Sequence, residues 1–173
     1  MSCIAYDGRQ VAADSLATYG NLRMPGNEVK LIVAGPRLYG MTGLSAMFAP
    51  LMAWYEDGAQ VATMPAAPGD ATFAFLVWEG GRCFVYRPKL PYAEEAFAPD
   101  AWGCGCDHAL GAMKALSLAG ITDNLARRAV EATIELDVKC GGPVLVYDLA
   151  EIAEASIKAK RRGVRRSPMV VAA

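Results

Sequence analysis

Short apolar runs alternate with turn-forming residues over the first part of the chain. Ile4-Ala5-Tyr6 and Gln10-Val11-Ala12-Ala13 flank Asp7-Gly8, a pair typical of a tight β-hairpin turn. Further turn residues follow at Tyr19-Gly20-Asn21 and Pro25-Gly26-Asn27, before the next apolar run begins at Val29. The pattern predicts paired strands at about 2–6, 9–14, 29–34 and 37–42.

Helical spacing of apolar residues appears after these strands. A helix is predicted over about 44–57, with Pro50 expected to kink it or delay its start, from the spacing of Leu44, Phe48, Leu51, Met52 and Tyr55. A second helix is predicted near 106–119 and is ended by Gly120. A third helix, capped by Thr122 or Asp123, runs to about 137.

Further strands lie between and after the helices. Thr72 to Trp78 and Cys83 to Arg87 read as a hairpin, turned by Glu79-Gly80-Gly81, and a last strand runs from Pro143 to Tyr147. Residues 64–69 and the segment from Pro88 to Pro91 read as loops. Strands, two central helices and more strands predict an α+β fold, with one domain over 1–156 and a basic tail over 157–173.

Composition fits a single globular enzyme domain. The chain has 173 residues, of which 54% are hydrophobic, and its net charge is −1. No run approaches the roughly 18 apolar residues that a membrane helix needs, so the apolar excess is expected to cover subunit interfaces. The five cysteines form no recurring framework, which favours a reducing cytoplasm over a disulfide scaffold. No secretory signal pattern is present at the start, so a cytoplasmic protein without a membrane partner is predicted.

The second residue carries candidate chemistry. Methionine aminopeptidase can remove Met1 when the next residue is as small as Ser2. A freed Ser2 would hold a hydroxyl nucleophile and an α-amine base on one residue, and this amine titrates near ~7.7–8.0, so part of it accepts a proton at neutral pH. A Met-Ser start is common by itself. Here Ser2 opens a predicted strand, which would hold the hydroxyl in place.

Several short motifs follow Ser2 in a distinctive order. They are Ala12-Ala13-Asp14-Ser15-Leu16-Ala17-Thr18 with Gly20-Asn21, Val29-Lys30, Gly40-Met41-Thr42-Gly43-Leu44-Ser45-Ala46, Gly103-Cys104-Gly105 and Asp137-Val138-Lys139-Cys140-Gly141-Gly142. From Ser2 to about Asp148 the chain resembles the proteasome β-subunits and the bacterial protease HslV, which are N-terminal nucleophile hydrolases. The resemblance implies a four-layer αββα sandwich with two antiparallel sheets packed face to face between helix layers. It also suggests a bacterial or phage homologue.

The resemblance implies a role for each matching residue. Ser2 would be the nucleophile, Lys30 the cation that lowers the pKa of the Ser2 amine, and Asp14 the acid that holds Lys30. The N–H group of Gly43 would stabilise the oxyanion. The amine would be oriented by Cys104, Asp137 and Cys140. Thr18 would pair with the substrate backbone, and Met41 and Ser45 would line the specificity pocket.

The implied activity is hydrolysis of peptide bonds in peptides or unfolded proteins, without a cofactor. The resemblance further implies a homo-oligomeric ring and a separate ring ATPase as a candidate partner. The chain contains no Gly-x-x-x-x-Gly-Lys motif, so ATP hydrolysis by the chain itself is not expected.

Three departures from the family leave other functions open. The family's usual nucleophile is Thr, whose methyl group restricts the hydroxyl rotamer, so slower turnover is expected with Ser2. The opening hairpin is shorter. Cys104 and Cys140 stand where the family has Ser, and a thiol is the weaker donor. These departures are compatible with an inactive structural ring subunit, and the wider hydrolase class includes amidases that act on small amides.

Two other interpretations are less favoured. Cys104, Cys106, His108 and Cys140 contain metal-ligand types, but Cys104 and Cys106 are separated by one residue where structural zinc sites use about two to four. A Cys–His hydrolase would need a spatial pairing that the sequence does not establish.

Basic residues crowd into 158–166. They are compatible with a patch for nucleic acid or an acidic partner, but a solvated tail is favoured, so a nucleic-acid partner is not expected.

Overall fold

The computed structural model describes residues 2–20 and 22–164. The strands are β1 Cys3–Tyr6, β2 Gln10–Ala13, β3 Leu16–Tyr19, β4 Leu22–Asn27, β5 Leu31–Ala34, β6 Arg37–Gly43, β7 Phe73–Glu79, β8 Arg82–Arg87, β9 Leu90–Ala96, β10 Asp100–Gly103 and β11 Leu145–Asp148. The helices are α1 Phe48–Glu56, α2 Cys106–Leu118, α3 Leu125–Leu136 and α4 Leu149–Val164. Short 3-10 turns cover Ser45–Met47 and Val61–Thr63.

The N-terminal sheet has the antiparallel order β10-β1-β2-β11. Its central hairpin is the predicted one: Gly8 takes a φ of +98°, which a side chain would disfavour. The Asp7 Oδ1 atom accepts the N–H groups of Arg9 at 2.9 Å and Gln10 at 2.7 Å. This side-chain turn brings β2 back along β1. Ser2 therefore enters the sheet at a defined edge of the hairpin.

The second large sheet is formed by consecutive antiparallel strands in the order β5-β6-β7-β8-β9. β3 and β4 form a separate two-stranded sheet. The hairpin of β7 and β8 was predicted from sequence and is confirmed. The coarse fold class, helices combined with antiparallel sheets, is also confirmed.

Three apolar clusters hold these elements together. Because side chains alternate along a strand, β1 sends Ile4 and Tyr6 to one face and Cys3 and Ala5 to the other. The first pair packs against the five-stranded sheet, in a cluster that includes Leu38, Leu76, Trp78 and Val85. The second pair packs against α2 and α3, in a cluster that includes Ala109, Met113, Ala129 and Val130. The far face of the five-stranded sheet is covered by α1, in a cluster that includes Tyr39, Phe48, Leu51, Trp54 and Phe75.

The sequence analysis missed β3, β4, β9, β10 and α4. Pro25 in β4 and Pro91 in β9 suggested loops, but both strands lie at sheet edges and both prolines fall where the strand register shifts, which are positions that tolerate proline. β10 is too short to give an alternating pattern. α4 runs into the basic residues of 158–166, whose charge is typical of a solvated tail. Residues 165–173, Met1 and Asn21 lie outside the described residues, so the domain and tail boundary stays a prediction.

Helix ends were predicted with mixed success. Gly120 follows α2 with a φ of +77°, as predicted for a helix-ending glycine. α1 begins at Phe48, so Pro50 falls in the first turn, where it delays the start without breaking a bond. Neither Thr122 nor Asp123 caps α3: Asn124 occupies the cap position, and the Ala126 N–H group donates instead to Asp7 Oδ2 at 3.1 Å. The Asp7 carboxylate thus stabilises both the β1–β2 turn and the first turn of α3.

Among the described helices, none is both long and apolar enough to cross a membrane.

Candidate active site

Ser2 lies immediately before β1 and opens onto a cleft of about 650 Å³. Only 3% of the surface of Ser2 is exposed to solvent. Among the described residues, its Oγ has no hydrogen-bond partner. The cleft is lined by Ser2, Thr42, Gly43, Leu44, Thr72, Phe73, Ala74, Arg87, Ala101, Trp102, Gly103, Cys104 and Cys106. A buried hydroxyl without a partner, on a residue that lines a cleft, is available for interaction with a ligand.

The backbone of Ser2 is held by the segment that joins β10 to α2. Cys3 is paired with Gly103 in the sheet. Gly103 has a φ of +103°, and a Cβ atom there would overlap the Ser2 carbonyl group. The Ser2 carbonyl oxygen accepts the Gly105 N–H group at 3.4 Å and the Cys104 thiol at 3.5 Å. The sequence analysis gave Gly103 no role, although a glycine directly before a helix was the available signal.

Asp14 and Lys30 form a buried ion pair behind the first strand. Lys30 Nζ donates to Asp14 Oδ1 at 2.7 Å and to the Leu16 carbonyl at 2.9 Å. Asp14 also accepts the N–H groups of Cys3 at 2.8 Å and Gly141 at 3.0 Å. Asp14 is fully buried and Lys30 is 2% exposed. The pair therefore connects the first residue of β1, the entry to β5 and the segment after α3.

Gly43 ends β6 and forms part of the cleft wall together with Ser2. Its φ of +91° disfavours a side chain, and a Cβ atom would overlap the Thr72 carbonyl group. The neighbouring Leu44 N–H group donates to that same carbonyl at 3.2 Å. Only glycine fits this turn, so the backbone of Gly43 faces the cleft without a side chain in front of it.

Cys104, Asp137 and Cys140 are brought together beside Ser2. The Sγ atoms of Cys104 and Cys140 are 3.8 Å apart, and Cys140 Sγ is 3.8 Å from Asp137 Oδ2. Asp137 follows the last residue of α3, and its Oδ1 accepts the Lys139 N–H group at 2.9 Å. These three residues come from two segments that flank α2 and α3.

The pKa values of the Cys104 and Cys140 thiols are shifted in opposite directions. A hydrogen bond from Cys140 lowers the pKa of Cys104 from its ordinary 9.0 to about 7, against the opposing effect of burial. The same contact, followed by burial, raises the pKa of Cys140. The pKa of Asp137 is lowered, chiefly by the N–H group of Lys139. Cys104 is therefore the sulfur that ionises first.

The residues predicted to bind substrate lie outside the cleft lining. Thr18 is in β3, paired with Arg23 of β4. Met41 is buried against α1, in the cluster with Phe48 and Phe73. Ser45 opens the 3-10 turn that follows β6. Their roles in substrate recognition stay predictions.

Other residues of the cleft were not predicted. Arg87 contributes a cation to its lining and pairs with Glu94 at 3.3 Å. Cys106 and Trp102 line it from the start of α2 and from β10. Arg87 ends a strand before a proline, a position with no chemical signal in the sequence. Lys30, in contrast, is too deeply buried to line the cleft.

The fold is of the proteasome- and HslV-like type found in N-terminal nucleophile hydrolases. Among solved structures, BPH from Thiobacillus denitrificans is 25% identical, with a TM-score of 0.61 over 86% of this chain and 97% of that one. The same protein in complex with epoxomicin gives 20% identity and a TM-score of 0.62 over 86% and 98% of the two chains. HslV from Trypanosoma brucei is 18% identical, with a TM-score of 0.65 over 84% and 97%. No known family model matches the sequence, and no curated protein sequence does.

Proposed function

We propose that the chain is an N-terminal nucleophile peptidase in which Ser2, exposed by removal of Met1, attacks peptide bonds. The observation that carries this proposal is the Ser2 Oγ atom, which lies buried and without a hydrogen-bond partner among the described residues at a cleft that Gly43 also lines. A free hydroxyl at the start of a strand is the group that such an enzyme needs.

In the proposed reaction, Ser2 Oγ attacks the carbonyl carbon and its proton passes to the Ser2 α-amine. The Gly43 N–H group donates to the oxyanion that forms. The amine then protonates the leaving nitrogen, and water hydrolyses the acyl-enzyme to release the second product and restore Ser2.

The base in this reaction needs a positive charge nearby and groups that orient it. Lys30 supplies the charge, which lowers the pKa of the amine, and the buried Asp14 holds Lys30. The amine is oriented by Cys104, Asp137 and Cys140. This cluster lies next to Ser2, since the Cys104 thiol contacts the Ser2 carbonyl. Thr18, Met41 and Ser45 are proposed to contact substrate once it extends beyond the cleft.

The packing supports the finer fold assignment as well. Helices α2 and α3, the N-terminal sheet, the five-stranded sheet and α1 follow one another through the three apolar clusters. This order supports the proposal of a four-layer αββα sandwich.

A homo-oligomeric ring, served by a separate ring ATPase, is the proposed assembly. Large apolar side chains are exposed on the two-stranded sheet, namely Tyr19, Leu22 and Met24, and at the ends of α2 and α3, namely Leu118, Leu136 and Val138. Such exposure favours burial in contacts between copies. Sedimentation velocity of the purified protein measures the assembly directly, and a monomer would contradict it.

The catalytic proposal is tested by the intact mass of the protein after incubation with an epoxyketone peptide. This inhibitor forms its ring adduct only with a terminal residue that has both a hydroxyl and a free amine. The expected species lacks Met1 and carries one inhibitor. The matched control is Ser2→Ala, which is equally small for Met1 removal but lacks the hydroxyl and is expected to stay unmodified.

The opposite result is also informative. A protein that keeps Met1 and forms no adduct would overturn the proposal and favour an inactive ring subunit. Ser2→Thr adds the methyl group that restricts the hydroxyl rotamer, so it is expected to form the adduct faster than the parent protein. A protein that forms the adduct but cleaves only small amides would replace the peptidase assignment with that of an amidase.

A further inference from the structure

The cluster of Cys104, Asp137 and Cys140, proposed above to orient the amine, also has metal-ligand chemistry. Its two sulfur atoms and one carboxylate oxygen all lie within 4.8 Å of one another. Thiolates are soft ligands that select zinc-like ions over magnesium or calcium. The sequence analysis disfavoured a metal because it considered the Cys104–Cys106 spacing, whereas the fold joins Cys104 to Cys140 instead.

Two of the three distances between the ligand atoms match a tetrahedral ion, and the third, between Cys104 Sγ and the Asp137 carboxylate, is at most 4.8 Å. With Zn–S bonds of about 2.3 Å and tetrahedral angles, two sulfur ligands lie about 3.8 Å apart. The Cys104 and Cys140 Sγ atoms are 3.8 Å apart. For one sulfur and one oxygen ligand the same geometry gives about 3.6 Å, and Cys140 Sγ lies 3.8 Å from Asp137 Oδ2. These two ligand–ligand distances therefore agree with the tetrahedral values to within the ordinary movement of a side chain.

We propose that Cys104, Cys140 and Asp137 form a binding site for a tetrahedral thiophilic divalent cation of the Zn²⁺ type. Each thiol forms a sulfur–metal bond and releases its proton to solvent, Asp137 Oδ2 supplies the third bond, and no electron is transferred. The fourth position is left for water or another exchangeable ligand, as in zinc sites with three protein ligands.

The surroundings suit this assignment. Asp137 Oδ1 is engaged by the Lys139 N–H group, which orients the carboxylate and leaves Oδ2 directed to the sulfurs. Cys140 is buried, which fixes one ligand, while Cys104 is exposed, which gives an ion access from solvent. The site thus has one fixed sulfur, one accessible sulfur and an oriented carboxylate.

The site adjoins the proposed nucleophile but does not depend on it. In the metal-free protein the Cys104 thiol contacts the Ser2 carbonyl at 3.5 Å. A metal-bound thiolate has lost the proton of that contact, so the ion would alter how the terminus is held. Metal binding itself requires neither Met1 removal nor peptide hydrolysis, and the two proposals can fail separately.

The experiment is a titration of the full, reduced protein with Co²⁺, followed by displacement with Zn²⁺. Tetrahedral Co²⁺ with thiolate ligands absorbs strongly in the visible and near ultraviolet, whereas hydrated Co²⁺ absorbs weakly. We expect about one tetrahedral Co²⁺ per chain, displaced by Zn²⁺ with loss of the visible bands. Cys104→Ser and Cys140→Ser are each expected to weaken Co²⁺ binding more than about tenfold and to reduce the thiolate charge-transfer band.

Cys106→Ser is the matched control. Cys106 lies two residues from Cys104, but its thiol contacts Asp107 and is not part of the cluster, so this variant should bind Co²⁺ like the parent protein. The parent titration alone can overturn the proposal, if no tetrahedral spectrum appears. Equal binding by the parent and the two serine variants would also overturn it. So would loss of binding in Cys106→Ser with retention in Cys104→Ser.

Discussion

Replacing Lys30 by Met tests how the buried ion pair contributes to the fold around Ser2. The variant keeps an unbranched side chain but removes the hydrogen bonds to Asp14 at 2.7 Å and to the Leu16 carbonyl at 2.9 Å. Asp14 is then left as a buried carboxylate with backbone donors and no cation. Breaking a buried pair from one side costs about 3–5 kcal/mol. That loss is a large part of the roughly 5–15 kcal/mol by which a domain is stable.

The free energy of unfolding is measured in urea, at one fixed protein concentration because self-association adds to stability. The fluorescence of Trp54, Trp78 and Trp102, all buried, reports unfolding. Arg9→Met is the control: Arg9 pairs with Asp148 at a similar 2.9 Å, but its side chain is 80% exposed. Removal of this exposed pair is expected to cost less than about 1 kcal/mol.

A double-mutant cycle isolates the pair itself. Asp14→Asn alone leaves the Lys30 ammonium group buried without its acid, so it is also expected to be strongly destabilising. Lys30→Met combined with Asp14→Asn leaves neither charge, and should cost at least about 2 kcal/mol less than the sum of the single variants. The reasoning is refuted if Lys30→Met costs no more than Arg9→Met, or if the two single effects simply add.

Two further predictions concern the neighbourhood of Ser2. Gly103→Ala should lower the free energy of unfolding by about 3 kcal/mol or more, because φ is +103° and the new methyl group would meet the Ser2 carbonyl. Gly80→Ala, at a φ of +59° with open space around it, should cost only about 1 kcal/mol, and equal losses in urea would contradict the argument. Alkylation of Cys104 by iodoacetamide, followed by peptide mass spectrometry, should rise with pH around a midpoint of about 7, because the thiolate is the reacting form and its pKa is lowered. Cys3, whose pKa burial raises to about 12, should stay unmodified there, and a Cys104 midpoint near 9.0 would contradict the assignment.

Local patterns were sufficient for the parts of the fold that depend on neighbouring residues. The Asp7-Gly8 turn, the β7–β8 hairpin and the glycine after α2 follow from backbone preferences that act within a few residues. Strands that break those preferences were missed: β4 and β9 contain prolines that only an edge position tolerates. The capping residue of α3 was predicted wrongly, because the N–H group of Ala126 donates to Asp7, which is far away in the chain.

The residues of the candidate site also divide into those visible in local sequence and those that only distant contacts bring together. Local features of the sequence pointed to Ser2 and Lys30, because a small second residue and a strand-end cation are visible locally. The other candidate catalytic residues, Asp14, Gly43, Cys104, Asp137 and Cys140, came from the family resemblance. Only the tertiary structure brings Asp14 within hydrogen-bond distance of both Cys3 and Gly141, and Cys104 within 3.8 Å of Cys140. These contacts join segments that are distant in sequence, and their geometry is set by how two sheets and their helices pack. No local preference encodes that packing.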